Sequence, residues 1–89
     1  MPTILKIFVA EHCPTCRAAF ELAAQVQQTF PETRVQLIDV EKSPADVPDS
    51  VFATPTFMLN NRIISLGNPS LPEITAQLQA LPREKISQE

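Results

Sequence analysis

The sequence has no stretch dense in lysine or arginine, no apolar run long enough to cross a bilayer, and only two cysteines among its 89 residues. With a formal charge of −3 and no basic cluster, nothing neutralises a phosphate backbone, so no nucleic-acid partner is expected. The first apolar run, Ile4 to Ala10, follows directly on Met1-Pro2-Thr3. It is too short for a membrane span and lacks the layout of a secretory signal, so no membrane partner and a cytoplasmic location are expected. In that compartment thiols are kept reduced, and a Cys-x-x-Cys bridge closes a very small loop, so the pair is a poor structural staple. A reactive or metal-binding pair is the better reading. Repeats, linkers and low-complexity segments are absent as well.

What is present suits one soluble domain. Apolar residues make up 44% and charged residues 19%, and a chain of this length buries one hydrophobic core, not two. Residues 1–82 are expected to form the domain and 83–89 a polar tail. Ile4-Leu5-Lys6-Ile7-Phe8-Val9 is rich in branched and aromatic residues and reads as a central strand buried on both faces. Pro14 fits the first turn of a helix, where its missing N–H is no loss. Cys16, Phe20, Ala23, Val26 or Gln27, and Phe30 then recur at helical spacing as the inner face. Arg17, Glu21, Gln25 and Gln28 form the outer face, and Pro31 stops the helix. Val35 to Val40 is a second strand, parallel to the first through a right-handed crossover. Glu41 to Ala53, broken by Pro44 and Pro48, holds one or two turns.

Thr56 to Leu59 and Arg62 to Leu66 flank Asn60-Asn61, whose tolerance of positive φ marks a tight hairpin. Gly67 and Asn68 end the second of these strands. Ser70 and Glu73 match a capping box for a last helix carrying Leu71, Ile74, Leu78 and Leu81 on one face, closed by Pro82. The order βαβ then ββα gives an α/β fold with a four-stranded mixed sheet flanked by helices.

Cys13-Pro14-Thr15-Cys16 falls where the first strand gives way to the first helix. Unpaired backbone N–H groups and the positive end of the helix dipole favour a thiolate there, and the thiolate is the attacking species in disulfide exchange. Cys13 is therefore the candidate nucleophile. Cys16, one turn on and on the buried side, is the candidate resolving cysteine, placed to attack a mixed disulfide on Cys13. Two other readings stay open: a pair of ordinary buried thiols, or a metal or cluster site using His12, Cys13 and Cys16. Zinc wants four ligands, and the chain offers no second Cys/His pair, so such a site needs a second chain or a partner. His12 is either a cation beside Cys13 or a solvent-facing loop histidine, and Glu11 acts in the opposite sense if close. Thr54-Pro55 opens an apolar strand, where a proline marks a special turn and a cis bond is one option.

The segments Phe8 to Cys16, Ile38-Asp39 with Pro44, Thr54-Pro55-Thr56 and Gly67 together resemble the thioredoxin superfamily, across Ile4 to about Leu81. The resemblance implies a thioredoxin-like fold and a thiol-disulfide oxidoreductase that needs no cofactor. It also implies a disulfide-bearing protein or small-thiol substrate, an upstream reductase and a monomer. In that family the residue matching Pro55 is a cis-proline facing the cysteines, with the preceding backbone binding substrate. His12, Pro14, Thr15, Thr54 and Pro55 are accordingly the expected substrate-binding residues. The chain departs from the family at His12, where an aromatic is common, and at Pro14-Thr15 between the cysteines. Ile7 replaces a buried aspartate that helps move protons, and Gly67-Asn68-Pro69-Ser70 replaces the glutathione-binding Gly-Gly-x-Asp of glutaredoxins. A second resemblance, carried by Leu5 to Ala10, Ile38 to Pro44 and Ala53 to Thr56, is to the KaiB clock proteins, thioredoxin-related binding modules that lack the cysteine pair. It implies, as the alternative, a non-catalytic protein-interaction module.

Overall fold

Ile4 to Val9 carries branched and aromatic side chains at nearly every position, which suits a strand with neighbours on both edges and cover on both faces. In the computed structural model, which describes residues 3–80, this segment is β1 (Thr3–Val9), the inner strand of a four-stranded sheet. Its parallel partner is β2 (Thr33–Asp39), in register from Thr3 opposite Thr33 to Val9 opposite Asp39. On the other side lies β3 (Thr56–Leu59), antiparallel, and beyond it β4 (Arg62–Leu66), for a spatial order of β2-β1-β3-β4. The mixed sheet is the one expected. β2 begins two residues before Val35, because Thr33 and Arg34 extend the ladder to β1 whatever their polarity. Val40 leaves the strand, although its N–H still donates to the Val9 carbonyl at 2.9 Å.

Asn60 and Asn61, with φ of 50° and 73°, make the two-residue turn between β3 and β4. The Asn60 side chain also accepts from the Ile4 N–H at 3.0 Å, which ties the hairpin to the start of β1. Between β2 and β3, Pro44–Asp46 forms a single 3₁₀ turn, within the turns expected for that proline-broken connection.

Two helices cover one face of the sheet. α1 (Cys16–Thr29) and α2 (Leu71–Gln79) share a core with Leu5, Ile7, Val9, Phe57 and Leu59, the alternate residues of β1 and β3. Phe8, Thr56 and Met58 point to the opposite face and are buried there. The α1 stripe is Cys16, Ala19, Ala23 and Val26, whose spacing of three, four and three residues is regular and whose alanines let the helix lie close to the sheet. Phe20 therefore corrects the expected inner face: it sits one residue off this stripe and is 47% exposed. Gln27 is exposed too, its amide donating to the Thr33 carbonyl at 2.9 Å. The outer residues Arg17, Glu21, Gln25 and Gln28 are exposed as expected.

α2 starts with the full capping box. Glu73 N–H donates to Ser70 Oγ at 3.2 Å, and Ser70 N–H donates to Glu73 Oε1 at 2.7 Å. Ile74 is fully buried on its inner face. The expected contribution of Leu81, the stop at Pro82 and the polar tail 83–89 lie outside the described residues. No helix among the described residues is long and apolar enough to cross a membrane. Removing the cap with Ser70→Ala should lower unfolding stability by about 1 kcal/mol, read as a lower denaturant midpoint at unchanged slope. An unchanged midpoint would deny the capping box its role.

Candidate active site

Parallel strands place their C-terminal ends together, and the loops leaving them meet at one edge of the sheet. Val9 and Asp39 end β1 and β2 side by side, and Thr56 opens β3 opposite Phe8. The Cys13 loop, the Asp39 turn and Thr54-Pro55 therefore collect at the same edge.

From Val9 the chain turns through Ala10 to Cys13, whose N–H donates to the Ala10 carbonyl at 3.3 Å. The Cys16 N–H donates to the Cys13 carbonyl at 3.2 Å, closing one turn just ahead of α1. The helix proper starts at Cys16, so Pro14 precedes it instead of occupying its first turn, a shift of the size usual at fraying helix ends. Cys13 and Cys16 are joined in a disulfide with their Cα atoms 5.3 Å apart. The two sulfurs are not equivalent. Cys16 is 1% exposed within the core, whereas Cys13 is half-buried and borders solvent. With both sulfurs in one bridge, the metal reading on His12, Cys13 and Cys16 lacks its thiolate ligands in this state.

The N-terminus of α1 is electrostatically open. Thr15 provides no side-chain cap, and its first turn contains no acidic residue, so the free N–H groups and dipole are not offset by the helix itself. The Thr15 hydroxyl turns instead to Cys13 Sγ at 3.4 Å. A disulfide sulfur carries no proton, so the hydroxyl is the donor.

His12 is exposed, and its ligand nitrogen lies within 4.8 Å of carboxylate oxygens of Glu11 and Glu41. It thus sits among acids in solvent. Pro14 and Thr15 are exposed as well. Pro55 is fully buried after a half-buried Thr54, and the bond between them is cis, as the resemblance implies. Pro55 is linked to the cysteine loop in two steps. Its carbonyl accepts from the Gly67 N–H at 2.8 Å, and the next residue, Asn68, donates from Nδ2 to the Thr15 carbonyl at 2.8 Å. Beside Cys13 opens a groove of about 810 Å³ whose walls include Val9, Pro14, Arg17, Phe20, Asp39 and Lys42. The Asp39 carboxylate in that groove accepts from the Glu41 and Lys42 N–H groups at 2.8 and 3.1 Å.

The four-stranded mixed sheet with two helices on one face is an arrangement shared with solved structures. The fold is that of thioredoxin. Thioredoxin-2 of the malaria parasite, a component of its protein secretion machinery, superposes with a TM-score of 0.74 at 18% identity, covering 90% of this chain and 84% of that one. Oxidised thioredoxin O2 of Arabidopsis thaliana gives 0.70 at 16% identity over 92% and 76% of the two chains. Oxidised mitochondrial thioredoxin 3 of Saccharomyces cerevisiae gives 0.65 at 22% identity over 88% and 76%. No family model and no curated protein sequence matches the chain. The thioredoxin fold is thus carried by a sequence far from those of these structural neighbours.

Against that thioredoxin frame, Ile7 is fully buried in the same apolar cluster as Cys16. Among the described residues the buried polar side chains are Thr33 and Thr56, so no buried acid attends Cys16. Three residues at this edge escaped sequence reasoning. Arg17 and Phe20 stand three residues apart on α1, a helical spacing that signals adjacency, but charge and size assigned them to opposite helix faces. Asn68 gave no signal, because its partner lies 53 positions away. After reduction, a small alkylating reagent should modify Cys13 at least about tenfold faster than Cys16, read by peptide mass spectrometry. Equal rates would contradict the burial difference.

Proposed function

We propose that the chain is a thiol-disulfide oxidoreductase in which Cys13 attacks and Cys16 resolves. The observation that carries this reading is the bridge between a solvent-bordering sulfur and a buried one at an uncapped helix N-terminus. A foreign disulfide meets only the outer sulfur, and that sulfur is the one the helix end and the Thr15 hydroxyl favour as a thiolate.

In the reduced protein the Cys13 thiolate attacks one sulfur of a substrate disulfide. The substrate S–S bond breaks, a mixed disulfide forms on Cys13, and the departing thiolate takes up a proton. Cys16 Sγ then attacks Cys13 Sγ, breaking the mixed disulfide, releasing the second substrate thiol and forming the Cys13–Cys16 bridge. Two electrons pass to the substrate, and the protein ends in the bridged state. The Cys16 proton goes to the departing substrate thiolate or to water reaching the loop past Cys13, since Ile7 supplies no buried acceptor. An external dithiol or thiol reductase returns the two electrons.

The substrate rests against the groove beside Cys13 and against half-buried Thr54, whose backbone the buried Pro55 fixes. His12, Pro14 and Thr15 are the exposed residues framing the cysteine pair on its outer side. The KaiB-type reading leaves the two sulfurs incidental or redox-sensing and asks for no difference between them, whereas their contrast in burial suits an attacking and a resolving thiol.

Insulin reduction driven by a small dithiol tests the proposal. The wild-type protein should accelerate it, and Cys13→Ser should fall to the uncatalysed rate, about 100-fold or more below wild type. Cys16→Ser should accumulate a covalent adduct with substrate on Cys13, visible by mass under non-reducing conditions. Turnover by Cys13→Ser equal to that of wild type would end the enzyme reading.

A further inference from the structure

A threonine at a helix N-cap ordinarily adopts an extended backbone and accepts from the N–H of the second or third helical residue. Thr15 does neither. Its φ and ψ are −86° and −6°, it makes no cap hydrogen bond, and its hydroxyl lies 3.4 Å from Cys13 Sγ. The contact that holds the Thr15 backbone from outside the loop is Asn68, whose Nδ2 donates to the Thr15 carbonyl at 2.8 Å across 53 positions.

Asn68 is itself fixed from both sides. The preceding Gly67 has φ +104°, a conformation strained for any side chain, and open space surrounds the position where a Cβ would stand, so the glycine serves the backbone turn alone. The Gly67 N–H donates to the Pro55 carbonyl at 2.8 Å, and the Ser65 hydroxyl donates to the Gly67 carbonyl at 3.0 Å. Following Asn68, Pro69 is buried and Ser70 is committed to the α2 capping box.

We propose that Asn68 is a positioning residue for the redox loop: by holding the Thr15 carbonyl it commits the Thr15 hydroxyl to the Cys13 sulfur instead of to the end of α1. This rests on the reading of Cys13 as the nucleophile. In the reduced protein the hydroxyl donates to the Cys13 thiolate, and a hydrogen bond to the charged form favours that form. Without Asn68, Thr15 is free to turn its hydroxyl onto the unpaired N–H groups of the helix, and the thiolate loses a donor. The exposed amide thus acts on Cys13 through Thr15, from the opposite half of the fold.

The test follows the pH midpoint of Cys13 alkylation in the reduced protein, with melting temperatures recorded for each variant. Glu11, Arg17, Asp39 and Lys42 line the groove with Cys13, and His12 adjoins it in sequence. None of them is altered, so their effect is common to all variants. Asn68→Ala and Thr15→Val should each raise the midpoint by about one unit, and the double variant should go no higher than either single one. Thr15→Ser, which keeps the hydroxyl, should retain the wild-type midpoint. A folded Asn68→Ala with an unshifted midpoint, or a double variant in which the two shifts add, would overturn the proposal. So would a Thr15→Ser midpoint as high as that of Thr15→Val. Loss of insulin turnover in wild type alongside the expected shifts would remove the enzyme reading and leave the positioning role standing.

Discussion

Two parallel strands cannot be joined by a tight turn. Pairing β1 with β2 therefore requires a crossover, and in this chain the crossover is α1. A helix that returns over the sheet from the end of β1 has its N-terminus above that strand end, and the residues between strand and helix are Ala10 to Thr15. The position of Cys13 just ahead of the α1 N-terminus is a consequence of sheet topology. The difference between the two sulfurs follows from the same geometry, since one helical turn separates a residue at the rim from a residue on the face that packs on Leu5, Ile7 and Val9.

That dependence explains why the remainder of the fold converges on one loop. β3 runs antiparallel to β1, so its first residue is level with the last residues of β1, and Thr54-Pro55 is delivered to the cysteine edge. β4 returns to the same edge, where Gly67 bonds Pro55 and Asn68 bonds Thr15. The cysteine loop is thus held through its own bridge, through its junction with α1 and through an amide supplied by the β4–α2 turn. The thioredoxin fold is here combined with a fully buried Ile7 in the cluster around Cys16 and with Pro14-Thr15 between the cysteines.

Much of this was legible in the sequence, and the pattern of what was not is physical. β1, the Asn60-Asn61 hairpin and the Ser70–Glu73 capping box rest on local rules, namely apolar runs, positive-φ residues and caps, and each is found where those rules put it. The cysteine pair was readable because motif and strand-to-helix junction coincide. Phe20 was misplaced because a large apolar residue next to a stripe of small ones looks like part of the stripe, while close approach of helix to sheet prefers Ala19 and Ala23. β2 began early because ladder hydrogen bonds do not depend on side-chain polarity. Asn68 read as a strand breaker, and nothing local distinguishes an asparagine that ends a strand from one that also reaches another element.

The proposed chemistry requires an unequal pair of thiols, and the observed inequality is one of burial, with Cys16 inside the apolar core and Cys13 at its rim. Nuclear magnetic resonance of reduced protein carrying carbon-13 at the cysteine Cβ atoms follows both ionisations separately in one titration. The expected result is that Cys13 ionises first, below the free-cysteine value of about 8.5, and that Cys16 follows at higher pH. Ionisation of Cys16 before Cys13, or of both together at the free-cysteine value, would contradict it.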